Sequence, residues 1–293
     1  MKILISLVAA FFLCSISAPA QEMSGHHHST SADSETIETQ DWAKQRLAKS
    51  PRHQEWVKVK SGNREVSSFV VYPEVKKKAT AVVVIHEIFG MTDWVQSLTD
   101  QLAEAGYIAI APDLLSGKGP NGGGTAELAA TGNNAVGKAI GDLPPDQITA
   151  DLNAVADYVS KLPASNGNVV VAGFCWGGSQ TFRFATSRPT LKAAFVFYGS
   201  APVKVDQTID KAALERIQAP VYGFYAGNDA RIDATLRATT EAMKELNKKY
   251  EPVTYEGAGH GFLRAQADRD GANAKATRQA WARTVSFLRD NLK

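Results

Sequence analysis

The chain has 293 residues, 32 basic against 30 acidic side chains and only two cysteines. That length suits one large α/β domain whose core needs no disulfide staples. A balance this close to neutral leaves no electrostatic footprint for nucleic acid or an anionic membrane as partner.

Met1-Lys2, an apolar run from Ile3 to Ile16 and then Ser17-Ala18-Pro19-Ala20 read as a secretory signal peptide over residues 1–20. The run is short for a transmembrane span, which makes an uncleaved anchor the lesser alternative. Cys14 follows Phe12-Leu13, whereas a lipoprotein signal wants a small residue there. Removing the segment leaves Cys175 as the one thiol, so the exported chain has no internal disulfide and carries a cysteine to be read as reactive. The alternative for that cysteine is a small buried core residue. No Asn-x-Ser/Thr site occurs, which favours a bacterial periplasm. Residues 21–41 are polar, without apolar period, and read as a disordered leader. His26-His27-His28 within it is a weak metal binder or a solvated tract. The folded domain is expected over 42–293.

Trp56–Val59 and Ser67–Tyr72 predict an opening antiparallel pair of strands. Ala81–Ile85 is a continuous apolar run, as in a strand buried on both faces. Leu98, Leu102 and Ala105 give Trp94–Ala105 a helical period. Tyr107–Ala111 is the next strand, ending at Pro112-Asp113. Eight glycines between Ser116 and Pro145 break the rhythm without phosphate-loop spacing. That stretch reads as a flexible excursion over the carboxyl edge of the sheet near the ligand, or as a mere surface insertion. Ile148–Leu162 is a helix, Val169–Phe174 a strand, Lys192–Tyr198 and Val221–Tyr225 further strands. Ala234–Lys249 and Ala274–Leu292 are helices. The βαβα order implies a mostly parallel sheet with helices on both faces.

The chemistry centres on Gly173-Phe174-Cys175-Trp176-Gly177-Gly178. A β-branched run enters Gly-x-Cys-x-Gly and continues into a helical stretch, the form of the nucleophile elbow of α/β-hydrolases with Cys in place of Ser. At the helix N-terminus, the dipole and free N–H groups favour negative charge on the sulfur. Asp229, in Gly227-Asn228-Asp229, follows a strand. His260, in Gly259-His260-Gly261-Phe262, follows the run Val253-Thr254-Tyr255. Either alone is an ordinary turn or loop residue. Together, Cys175…Asp229…His260 has the nucleophile–acid–histidine order of that fold. Asp229 is expected to orient His260, with the Trp176 and Ile88 N–H groups as the oxyanion hole. No His-Glu-x-x-His or paired-cysteine spacing occurs, so no metal or other cofactor is expected.

These motifs, with His86-Glu87-Ile88-Phe89-Gly90, resemble the dienelactone hydrolase family from about Glu55 to the C-terminus. The resemblance implies an α/β-hydrolase fold and cofactor-free hydrolysis of small lactones or esters by a Cys-His-Asp triad. It implies that Glu87 contacts the resting Cys175 and swings away when substrate binds. It matches Arg264 to one of two arginines that hold a substrate carboxylate. The second is expected after Pro112-Asp113-Leu114, where this chain reads Leu115-Ser116-Gly117-Lys118. Lys118 is the available substitute, without a guanidinium's bidentate fork.

The expectation is therefore an exported, monomeric hydrolase of small esters or lactones that has no membrane contact after signal cleavage. A broad carboxylesterase or acyl-transfer enzyme on the same scaffold is the first alternative. A periplasmic binding protein that kept the fold is the second. Thiol redox chemistry would want a Cys-x-x-Cys or a resolving cysteine, and neither is present.

Overall fold

The computed structural model describes residues 41–291 except Asn133. The segment read as a signal peptide, most of the stretch read as a leader and its histidines lie outside the described residues. Asp41, read as the end of the leader, opens helix α1 (Asp41–Lys49). No helix among the described residues is long and apolar enough to cross a membrane.

Eight strands form one sheet in the order β1-β2-β4-β3-β5-β6-β7-β8. β1 (Gln54–Ser61) and β2 (Arg64–Val71) make the expected antiparallel pair, with Trp56 opposite Phe69. β2 is also antiparallel to β4 (Ile108–Pro112). From β4 onward the sheet is parallel, through β3 (Ala79–Ile85), β5 (Ser165–Phe174), β6 (Ala194–Phe197), β7 (Val221–Asn228) and β8 (Tyr250–Gly259).

The uninterrupted apolar runs follow from burial on both faces. Side chains alternate along a strand, so Val83, Ile85, Val169 and Val171 enter one core while Val82, Val84, Val170 and Ala172 enter the other. The first core is closed by α5 (Pro145–Ser160), α6 (Trp176–Ser187) and α8 (Ala230–Glu245). The second is closed by α1, α2 (Asp93–Glu104) and α9 (Ala272–Asn291).

The glycine-rich stretch is more ordered than a flexible excursion. It contains α3 (Thr125–Ala130) and α4 (Ala135–Gly141), and Ile140 and Leu143 reach the first core. Asp113 anchors it: its buried carboxylate accepts from Leu115 N at 3.0 Å, Thr125 N at 2.8 Å and Thr125 Oγ1 at 2.8 Å. A short helix, α7 (Lys211–Glu215), precedes β7. The carboxyl ends of β3, β4, β5, β7 and β8 lie along one edge, where open α/β sheets place their ligands.

Candidate active site

The elbow is set by close backbone packing. A Cβ on Gly173 would stand 2.2 Å from Gly177 O, and one on Gly177 would stand 2.3 Å from both Ile85 O and His86 O. Only glycine lets α6 start this close to β3 and β5. The turn drives Cys175 to φ 57°, ψ −118°, a conformation that costs a residue with a side chain about 1–3 kcal/mol. The surroundings over-determine it: Cys175 N donates to Phe197 O at 3.0 Å and Ser179 N to Cys175 O at 3.2 Å.

The strained turn presents Cys175 Sγ 3.0 Å from His260 Nε2. His260 Nδ1 lies 2.5 Å from Asp229 Oδ2. Asp229 is buried, and His260 is held with its ring edge-on to Tyr198, centroids 5.1 Å apart. Helix α9 braces the loop that carries His260. Gly259 N donates to Asn273 Oδ1, Asn273 Nδ2 to Ala265 O, and Thr277 Oγ1 to Phe262 O. Burial opposes charge on His260, but Asp229 and Cys175 outweigh it and carry the imidazole up to about 9. Burial likewise pushes the Asp229 carboxyl up, and the His260 ring leads the groups that bring it below its ordinary value. This arrangement can take a proton from a thiol, hold it on His260 and return it to a leaving group.

Trp176 opens α6, so its N–H has no intrahelical acceptor. The Ile88 N–H, in the turn after β3, meets no acceptor among the described residues.

Glu87 and Arg264 differ from the pattern the resemblance implies. Glu87 is turned toward Arg264, whose Nε donates to Glu87 Oε2 at 2.8 Å, while Cys175 is engaged by His260. The guanidinium also lies over the Phe89 ring, 4.8 Å from its centroid. Burial pushes the Glu87 carboxyl up and Arg264 pulls it partly back. Removing one partner of such a buried pair leaves an uncompensated charge, so Arg264 and Glu87 hold each other in place. The Tyr198 hydroxyl is buried beside Glu87, whose charge adds to burial in pushing it well above the ordinary phenol range.

Lys118 is not brought to this group. It lines a cavity of about 770 Å³ between β1, β2 and the glycine-rich stretch, with Trp56, Arg64, Met91 and Glu127. Neither the Cys175–His260–Asp229 set nor Arg264 lines that cavity. Among the described residues, no group of three or more His, Cys, Asp or Glu side chains is placed to hold a metal. Sequence reasoning missed Tyr198, Asn273 and Thr277. Tyr198 has a faint signal, an aromatic followed by Gly-Ser at the end of a strand. The two helix side chains have none.

Residues 66–292 match the model of the dienelactone hydrolase family. A provisionally named carboxymethylenebutenolidase of Salmonella typhi is 32% identical over 213 residues, 71% of this chain and 76% of that protein. One of Saccharolobus solfataricus is 30% identical over 259 residues, 78% of this chain and 95% of that protein. Among solved structures, a provisionally named dienelactone hydrolase of Klebsiella pneumoniae superposes with a TM-score of 0.68 at 24% identity, covering 82% of this chain and 99% of that one.

Proposed function

The chain belongs to the dienelactone hydrolase family, and from that premise we propose that it is an exported hydrolase of small esters or lactones working through Cys175, His260 and Asp229. The observation that carries this reading is the hydrogen-bonded line from Cys175 Sγ through His260 to buried Asp229, mounted on a strained elbow.

In this scheme the Cys175 thiolate attacks the ester carbonyl with its proton held on His260. The Trp176 and Ile88 N–H groups receive the developing oxyanion. Collapse of the tetrahedral intermediate expels the alcohol oxygen, which takes the proton from His260 and leaves an acyl-cysteine. His260 then accepts a proton from water as the water attacks the acyl carbon. The second collapse frees the acid and returns the thiol–imidazole pair. Asp229 holds Nδ1–H throughout and stabilises the imidazolium. A lactone follows the same steps, with the alcohol remaining tethered to the acid.

Two observations favour a broader ester specificity over recognition of a substrate carboxylate. Arg264 already neutralises Glu87, and Lys118 faces a separate cavity. A panel of activated aryl esters with and without a carboxylate, alongside a dienelactone, tests both parts. Thiol alkylation with iodoacetamide is expected to abolish all hydrolysis, and carboxylate-bearing esters are expected to gain little over neutral ones. Full activity after alkylation, or in Cys175→Ala, sinks the triad.

A further inference from the structure

The mechanism above leaves one buried titratable group unused. His86 is fully buried, two residues before Ile88 and against the Trp176 ring. Its Nε2 lies 3.4 Å from Leu114 N, which can only donate, so Nε2 is the acceptor and Nδ1 carries the proton. That Nδ1–H donates to Glu87 O at 2.8 Å. The Glu87 carbonyl and the Ile88 N–H belong to one planar trans peptide, in which C=O and N–H point in opposite directions. Fixing the carbonyl therefore fixes the direction of the Ile88 N–H. Gly90 N donates to the same carbonyl at 3.1 Å and closes the turn. A second chain holds the far end of the loop: Met91 N donates to Thr125 Oγ1 at 3.1 Å, and Thr125 Oγ1 donates to Asp113 Oδ1 at 2.8 Å. The His86 ring also lies flat on Trp176, with centroids 5.5 Å apart and planes 15° apart. One imidazole thus touches Trp176 and the carbonyl of the peptide that carries the Ile88 N–H.

We propose that His86 is the positioning residue of the oxyanion hole, aiming the Ile88 N–H through the Glu87 carbonyl and setting its spacing from Trp176 by stacking. This rests on the reading of those two N–H groups as the oxyanion donors. His86 touches neither the nucleophile nor substrate. Its effect is felt only where negative charge develops on a carbonyl oxygen.

The test compares two reactions of Cys175 in the full-length protein. Hydrolysis of an activated aryl ester needs the oxyanion hole, whereas alkylation by iodoacetamide displaces iodide at a saturated carbon and forms no oxyanion. His86→Ala is expected to lower kcat about 10- to 100-fold, part of the loss that follows removal of a whole oxyanion donor, with KM changed less than about threefold. The alkylation rate and its pH profile are expected to stay within about twofold of wild type, because the Cys175–His260–Asp229 line is intact. His86→Asn, whose amide can still donate to the Glu87 carbonyl, is expected to recover part of the kcat and covers the case in which the alanine variant fails to fold. Equal falls in hydrolysis and alkylation in the folded variants would show a merely structural role and overturn the proposal, as would kcat unchanged in both. Ile88→Pro removes the N–H itself and separates the two readings. If it hydrolyses ester at the wild-type rate, the oxyanion assignment of Ile88 fails. If it is slow while the His86 variants are fast, the assignment stands and the proposal for His86 falls.

Discussion

Asp229 and Arg264 are each one half of a buried pair, and the two pairs answer mutation differently. Asp229→Asn keeps the side chain's shape but removes the charge that stabilises the His260 imidazolium and selects its tautomer. A fall in kcat of about 10²- to 10⁴-fold is expected, with a smaller change in KM. Steady-state kinetics on an aryl ester would show it, and a variant within a few-fold of wild type would remove Asp229 from the mechanism. Arg264 answers first in stability. Arg264→Met leaves Glu87 buried beside Tyr198 without its ion-pair partner, a change of the kind that costs about 3–5 kcal/mol. Adding Glu87→Gln removes the orphaned charge, so the double variant is expected to regain most of that loss in urea unfolding. If the double variant is no more stable than Arg264→Met, the pair is not what holds this corner.

At the scale of elements, the elbow shows why so much of the site could be read from sequence. The β-branched run before Gly173 needs burial on both faces, and the glycines after Cys175 need backbone approach closer than any Cβ allows. Both requirements are local, and both survive in the sequence. Gly177→Ala accordingly puts a methyl 2.3 Å from two carbonyl oxygens at the end of β3. Forcing β3 and α6 apart is expected to cost about 1–3 kcal/mol. Because Ile88 lies in the turn that follows β3 and Cys175 directly precedes α6, hydrolysis should fall with it. A variant with wild-type unfolding midpoint and activity would contradict the packing. What the sequence withheld is non-local. The placement of β4 between β2 and β3 depends on crossovers that no motif marks. The turn of Glu87 toward Arg264 is a pairing across 177 residues. Lys118 is adjacent in sequence to the Pro112-Asp113 strand end, yet the Asp113–Thr125 anchor carries its segment to the other cavity. Helix α1 was hidden because nine residues with one buried alanine make no period, and it lies outside the segment that matches the family.

For the whole molecule, the titrating line at the site ties folding stability and turnover to the same pH window. His260 rises from 6.5 to about 9 on folding, so its contribution is complete below 6.5 and is lost as pH climbs through about 9. Asp229 moves the other way: its carboxyl falls below 3.8 on folding, so its contribution is present above 3.8 and is lost as pH drops through its folded value. The two partners therefore support the fold together between about 4 and 6.5. The gap in unfolding free energy between wild type and Asp229→Asn is expected to be widest there and to narrow toward both extremes. Turnover should follow the basic limb, because above about 9 the imidazole no longer holds the proton that the leaving group needs. Cys175 contributes to that high value, both as hydrogen-bond partner and as charge. In Cys175→Ala, His260 is therefore expected to titrate lower than in wild type, as read from its ring proton resonances across the pH range. An unchanged midpoint in that variant would mean that the sulfur and the imidazole do not share a proton. The thiol would then lose its claim to be the nucleophile even though the fold around it is that of a hydrolase.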